Sequence, residues 1–193
     1  MPNNLRISPM AYISAALLLL ILPLNWLLAA FFAAGFHELC HYIALRICGV
    51  KVNTLRIGTN GTVMETAALS YTQELLCALA GPLGSLLLLL LLRWFPRTAI
   101  CALFHALYNL LPLYPLDGGR ILHCGARLLL PPKASDIFCN IAEKLCLLLL
   151  GLTALYATFL LHLGILPLLM AGVLLMKRQK VKIPCKPLRL GVQ

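Results

Sequence analysis

Long apolar runs separated by short polar breaks set the organisation of this chain, and the run lengths predict membrane spans. Residues 1–9 form a polar lead with Arg6, and residues about 10–24 a first span ending near Pro23-Leu24-Asn25. Residues about 26–48 predict a second span. The pattern then changes. Val50-Lys51-Val52-Asn53-Thr54-Leu55-Arg56-Ile57 alternates at period two, Gly58-Thr59-Asn60-Gly61 carries turn residues, and Thr62-Val63-Met64-Glu65 can return. This predicts a small β-hairpin at the membrane surface, with a plain connecting loop as the alternative. Residues about 72–94 and 98–112 predict spans three and four, 131–135 a linker, and about 136–160 and 162–176 spans five and six. Lys177-Arg178-Gln179-Lys180 stops the last span. The expected architecture is an all-α polytopic membrane protein of about six helices, with the hairpin between helices two and three. Residues 1–176 would be one domain and 177–193 a basic cytoplasmic tail.

Composition agrees with lipid. Of 193 residues, 61% are hydrophobic and only 11% charged, with a mean hydropathy of +0.91. A net charge of +10 does not point to nucleic acid, because the cations cluster at span ends. There they orient the chain and meet anionic headgroups. Of the 16 Lys and Arg, all but Arg93, Arg97 and Lys144 fall on the side that holds both termini in a six-span layout. That side is therefore expected to be cytoplasmic. The eight cysteines form no CxxC pair and read as small apolar residues. Ala80-Gly81-Pro82-Leu83-Gly84-Ser85 in span three permits close helix approach and a kink.

The chemistry centres on His37-Glu38-Leu39-Cys40-His41 in span two. At about 100° per residue the two histidines fall on one helical face, one turn apart. Imidazoles at that spacing can share one Zn²⁺ at roughly 2.0–2.1 Å each. Glu38, about 100° around from His37, can act as general base toward a metal-bound water. A chance grouping is the alternative, but ionisable residues inside a span are costly and point to function. The third ligand must come from elsewhere. Span four runs into Asn109-Leu110-Leu111-Pro112-Leu113-Tyr114-Pro115-Leu116-Asp117-Gly118-Gly119-Arg120. Two prolines break the helix there, and two glycines free the backbone after Asp117. Asp117 is the best candidate among six acidic residues; a salt bridge to Arg120 or Arg127 is its alternative role. Glu143-Lys144 reads as a local pair, His105 as a partner of a neighbouring helix, His123 as support near the Asp117 segment, and His162 as interfacial.

These two motifs together, with Ala80-Gly81-Pro82, resemble the site-2 protease family of intramembrane zinc metalloproteases (peptidase family M50) over roughly residues 26–125. Within it the chain looks closest to the compact bacterial branch that includes the stage IV sporulation protease. The resemblance implies one zinc on His37, His41 and Asp117, and Glu38 as base. It places Asn109, Pro112, Pro115 and Gly118 in a segment that contacts substrate or supports the site, and makes residues 50–65 the family's surface hairpin. It implies a membrane-associated protein substrate, such as a precursor sigma factor or an anti-sigma factor, in a bacterial cell membrane. A membrane regulator or a second copy of the chain could be a further partner. Cys40 and Ser85 depart from the family pattern: glycine is common at the first position and Asn at the second. The residues present contain no PDZ domain and no regulatory cystathionine-synthase-type domain. A catalytically inactive, metal-binding scaffold of the same fold is the alternative function. A transporter is disfavoured, because the chain contains no inverted repeat.

Overall fold

The computed structural model of the chain describes residues 4–7, 23–58, 61–66, 68–162, 164–165, 167–169 and 171–172. The first predicted span up to residue 22, the hairpin tip Thr59-Asn60, much of the sixth span and the basic tail lie outside the described residues. The remainder is mostly helical and divides into two compact units, one through Asn109 and one from Leu110.

The first unit holds strand β1 (Asn4–Ile7), helix α1 (Leu24–Ile47), strands β2 (Val52–Gly58) and β3 (Gly61–Thr66), helix α2 (Tyr71–Leu87) with a 3₁₀ turn at Leu88–Leu91, and helix α3 (Pro96–Asn109). β2 and β3 pair antiparallel, with Leu55 opposite Met64 and Gly58 opposite Gly61. β1 adds to β2 in parallel, Asn4 opposite Thr54, so the polar lead contributes a strand.

α1 begins after Pro23 and spans 24 residues, about 36 Å at 1.5 Å per residue and enough to cross a bilayer core. Its end is a glycine cap: Gly49 takes φ +72°, its N–H donates to Arg46 O, and Val50 N–H donates to Leu45 O. This is the Schellman pattern, and Leu45 and Val50 also pack together beneath it. α2 starts with a capping box. Ser70 Oγ accepts from Gln73 N–H while the Gln73 side chain accepts from Ser70 N–H. The Gln73 amide also donates to Cys48 O, tying the start of α2 to the end of α1.

The packing face of these helices is made of small residues. α1 buries Ala29, Ala33, His37, His41 and Leu45 along a four-residue repeat. α2 buries Cys77, Ala78, Gly81, Pro82, Gly84 and Ser85, and α3 buries Ala99, Ala102 and Ala106. Close approach through such faces is how helices associate in lipid, where apolar bulk gives no advantage. The large side chains point the other way: Phe31, Phe32, Leu39, Ile43, Leu83 and Leu87 are exposed, as expected of surfaces that meet acyl chains.

The second unit begins with a turn and holds helices α4 (Asp117–Leu129) and α5 (Pro132–Phe159). Two expectations change here. Asp117 is not followed by a freed backbone; it opens a 13-residue helix. Gly118 and Gly119 are helical, and a Cβ on Gly118 would strike the Leu110 and Leu111 carbonyls, while one on Gly119 would meet Leu113 and Tyr114 backbone. The glycines therefore let the preceding turn lie directly on the helix. Likewise residues 132–135 are not a linker: Pro132 sits in the first turn of α5, where its missing N–H is no loss. α1, the α2 and 3₁₀ segment (Tyr71–Leu91), and α5 are long and apolar enough to cross a membrane. The chain is an integral membrane protein.

Candidate metal centre

His37 and His41 lie mid-way along the buried stripe of α1, 2% and 8% exposed. Their Nε2 atoms are 3.1 Å apart. Each ring is held from behind by α2: His41 Nδ1 by the Cys77 carbonyl at 2.7 Å, and His37 Nδ1 by Ser85 Oγ at 2.9 Å. A carbonyl only accepts, so His41 carries its proton on Nδ1 and presents a lone pair at Nε2. Two nitrogens bound tetrahedrally to one Zn²⁺ at 2.0–2.1 Å would lie roughly 3.3–3.4 Å apart. The imidazole pair therefore fits a shared zinc both in spacing and in how each ring is anchored.

Gly81 forms the floor of this pair. A Cβ there would overlap His41 Nε2 and come within 2.8 Å of His37 Cε1. One turn on, a Cβ at Gly84 would strike Cys40 Sγ, so the thiol is turned toward α2. The third helix adds His105, whose ring stands edge-on to His37 with centroids 4.5 Å apart. Asn109, the last residue of α3, donates its side-chain amide to His105 O at 3.0 Å. The ring of His105 thus packs on a histidine of the candidate site itself. Glu38 follows His37 on α1 and is half-buried.

Asp117 belongs to the second unit, buried at 6% exposure as the first residue of α4. Arg120 donates to its Oδ1 at 3.2 Å, so the ion pair weighed as its alternative role is present. A carboxylate has two oxygens, and a guanidinium on one leaves ligation through the group chemically open. Pro112 is half-buried, Pro115 exposed and Gly118 buried against the 110–111 backbone.

The second unit also contains a buried pair that local reading assigns differently. Glu143 does not stand only beside Lys144. Its Oε1 lies 3.0 Å from His123 Nε2, bridging α5 to α4, and the Tyr114 ring meets His123 edge-on. Arg127 and Asp136 add an exposed link between the same helices.

Two residues of the site are not picked out by the motif. Ser85 stands out in the sequence only as a departure from a pattern, and Cys77 acts through its backbone. Their spacing on α2, with Gly81 between them, was the available signal: positions 77, 81 and 85 share one helical face.

Residues 10–116 match the Peptidase M50B-like family. A zinc metalloprotease of Methanocaldococcus jannaschii is 30% identical over 139 residues, covering 62% of this chain and 40% of that protein. The chain thus spans about two fifths of the length of that relative. Among solved structures, the site-2 protease from Methanocaldococcus jannaschii shares the fold with a TM-score of 0.61 at 20% identity, over 93% of this chain and 92% of the other.

Proposed function

The chain belongs to the Peptidase M50B-like family, and from that premise we propose that it is an intramembrane zinc endopeptidase. The observation that carries the reading is the buried His37–His41 pair, with Nε2 atoms 3.1 Å apart and both Nδ1 atoms anchored on α2. In this proposal Asp117 completes a buried two-imidazole, one-carboxylate donor set. Such a set leaves a coordination position open for water, as catalytic zinc sites do. When bound, zinc would supply Lewis-acid polarisation of the scissile carbonyl and a water acidic enough to act near neutral pH.

The chain's own residues do the rest. Glu38, next to His37 but on a different helical face, takes the proton from the attacking water and returns it to the leaving amine. Arg120 donates to the Asp117 carboxylate and fixes its orientation. The exposed apolar flank of α1, which carries the histidine pair, is suited to lipid, so the peptide must be unwound before it can be cut. A strand edge of the β1–β2–β3 sheet can hold such a peptide extended. Asn109 and the turn at Pro112 and Pro115 act as support for the site rather than as its ligands.

The finer reading is a six-span protein with both termini cytoplasmic, supported by the one-sided distribution of Lys and Arg. Its proposed substrate is a membrane-associated regulatory protein such as a precursor sigma factor or anti-sigma factor of a sporulating bacterium. That part is supported by the resemblance to the compact sporulation-type branch. Co-expression with membrane-tethered candidate substrates tests the enzyme. Wild type should release a shorter fragment, and Glu38→Gln should release none while remaining folded in the membrane. Equal processing by both proteins would overturn the proposal.

A further inference from the structure

The hydrogen bonds behind the two histidines are not equivalent. His41 faces a carbonyl, which fixes one tautomer. His37 faces a hydroxyl, which can accept or donate. With one ring proton on each histidine and a lone pair on His41 Nε2, 3.1 Å from His37 Nε2, His37 has two tautomers. In one, His37 carries its proton on Nε2 and donates it to His41, while Ser85 O–H donates into His37 Nδ1. In the other, His37 Nε2 is also a lone pair, both nitrogens face a cation, and His37 Nδ1–H donates to Ser85 Oγ.

We propose that Ser85 is a positioning residue for metal loading, whose hydroxyl reverses its hydrogen bond with His37 as the ion enters or leaves. The inference rests on the zinc reading above and deepens it. The step balances without any redox partner. Solvent takes the Nε2 proton of His37 and supplies one to Nδ1 as the ring exchanges, so the net change is a tautomer shift with the ring uncharged, and Ser85 keeps its own proton and turns it away. A residue able only to accept would penalise the metal-free tautomer, and one able only to donate would penalise the metal-bound one. Ser85 has the required environment: it is 0% exposed, so water does not readily replace it, and its Oγ lies 2.9 Å from the ring. Being in the middle of α2, on the face shared with Cys77 and Gly81, it moves with the helix that anchors His41.

The test compares wild type, Ser85→Ala, Ser85→Asn and Ser135→Ala, purified in detergent. Ser135 is an equally buried serine on α5 and serves as a control for loss of a hydroxyl in a helix core. Zinc affinity is read by competition with a chromophoric chelator, and the His37 tautomer by ¹⁵N shifts of histidine-labelled protein with and without zinc. Ser85→Ala should weaken zinc binding 10–100-fold, the range for loss of a group that orients a ligating histidine. Ser85→Asn, whose amide both donates and accepts, should recover most of that loss, and Ser135→Ala should bind as wild type. Wild-type His37 should exchange an Nε2-protonated form for an Nδ1-protonated one on loading. Equal zinc affinity in wild type and Ser85→Ala, or a His37 tautomer unchanged by zinc, would overturn the role of Ser85 while leaving the site intact. No zinc bound by any of the four would instead overturn the metal centre itself, and this inference with it.

Discussion

Replacing Gly81 by Ala is the sharpest small perturbation the structure offers. The added methyl would overlap His41 Nε2 and approach His37 Cε1 at 2.8 Å. Neither ring can swing away cheaply, because the Cys77 carbonyl holds one and Ser85 the other. Overpacking of this kind costs about 1–3 kcal/mol, while Ala in place of a helical Gly returns about 1 kcal/mol. The net fold destabilisation is then small, about 0–2 kcal/mol. The site suffers more, because the clash falls on the ligating atoms: a displacement of about 1 Å at a reacting centre can cost on the order of 100-fold in rate. Gly81→Ala should therefore lose most zinc affinity and cleavage with only a modest fall in melting temperature in detergent. Gly125 and Gly151 provide the control, since a Cβ at either position meets nothing within 4 Å. Alanine there should leave zinc unchanged and stabilise by up to about 1 kcal/mol. If Gly81→Ala kept wild-type zinc affinity and activity, the packing of α2 under the histidine pair would be wrong.

Other perturbations separate fold from site. His123→Ala removes the 3.0 Å contact to Glu143 between α4 and α5 and should destabilise by about 1–3 kcal/mol. Adding Glu143→Leu should recover a large part of that in thermal unfolding; a double variant no better than the single would argue against the pair. Ser70→Ala removes the capping box of α2 and should lower stability by about 1 kcal/mol, with zinc content per folded chain unchanged. A large loss of zinc would show that the cap does more than start the helix.

The parts of this architecture legible in the sequence are those governed by local periodicity. Two histidines four apart on an apolar helix must share a face, and that needs no tertiary information. The alternation before Gly58 likewise marks β2 directly. What escaped depends on partners distant in the chain. Gly118-Gly119 after two prolines reads as loop; only the turn lying on α4 reveals that the glycines serve close packing inside a helix. Glu143 reads as the partner of its neighbour Lys144, whereas its carboxylate meets His123 on the preceding helix. β1 pairs in parallel with a strand beyond α1, a connection that no short window contains. Ser85 shares a helical face with Cys77 and Gly81, but only the docking of α2 on α1 puts its hydroxyl behind His37.

The most direct test of the central claim is the zinc content of folded protein, measured by elemental mass spectrometry on detergent-purified wild type, His37→Ala and Asp117→Ala. The account predicts about one zinc per wild-type chain, the occupancy of a single three-ligand centre, and a marked loss in each variant. Folded wild type without zinc, or full zinc in Asp117→Ala, would contradict it.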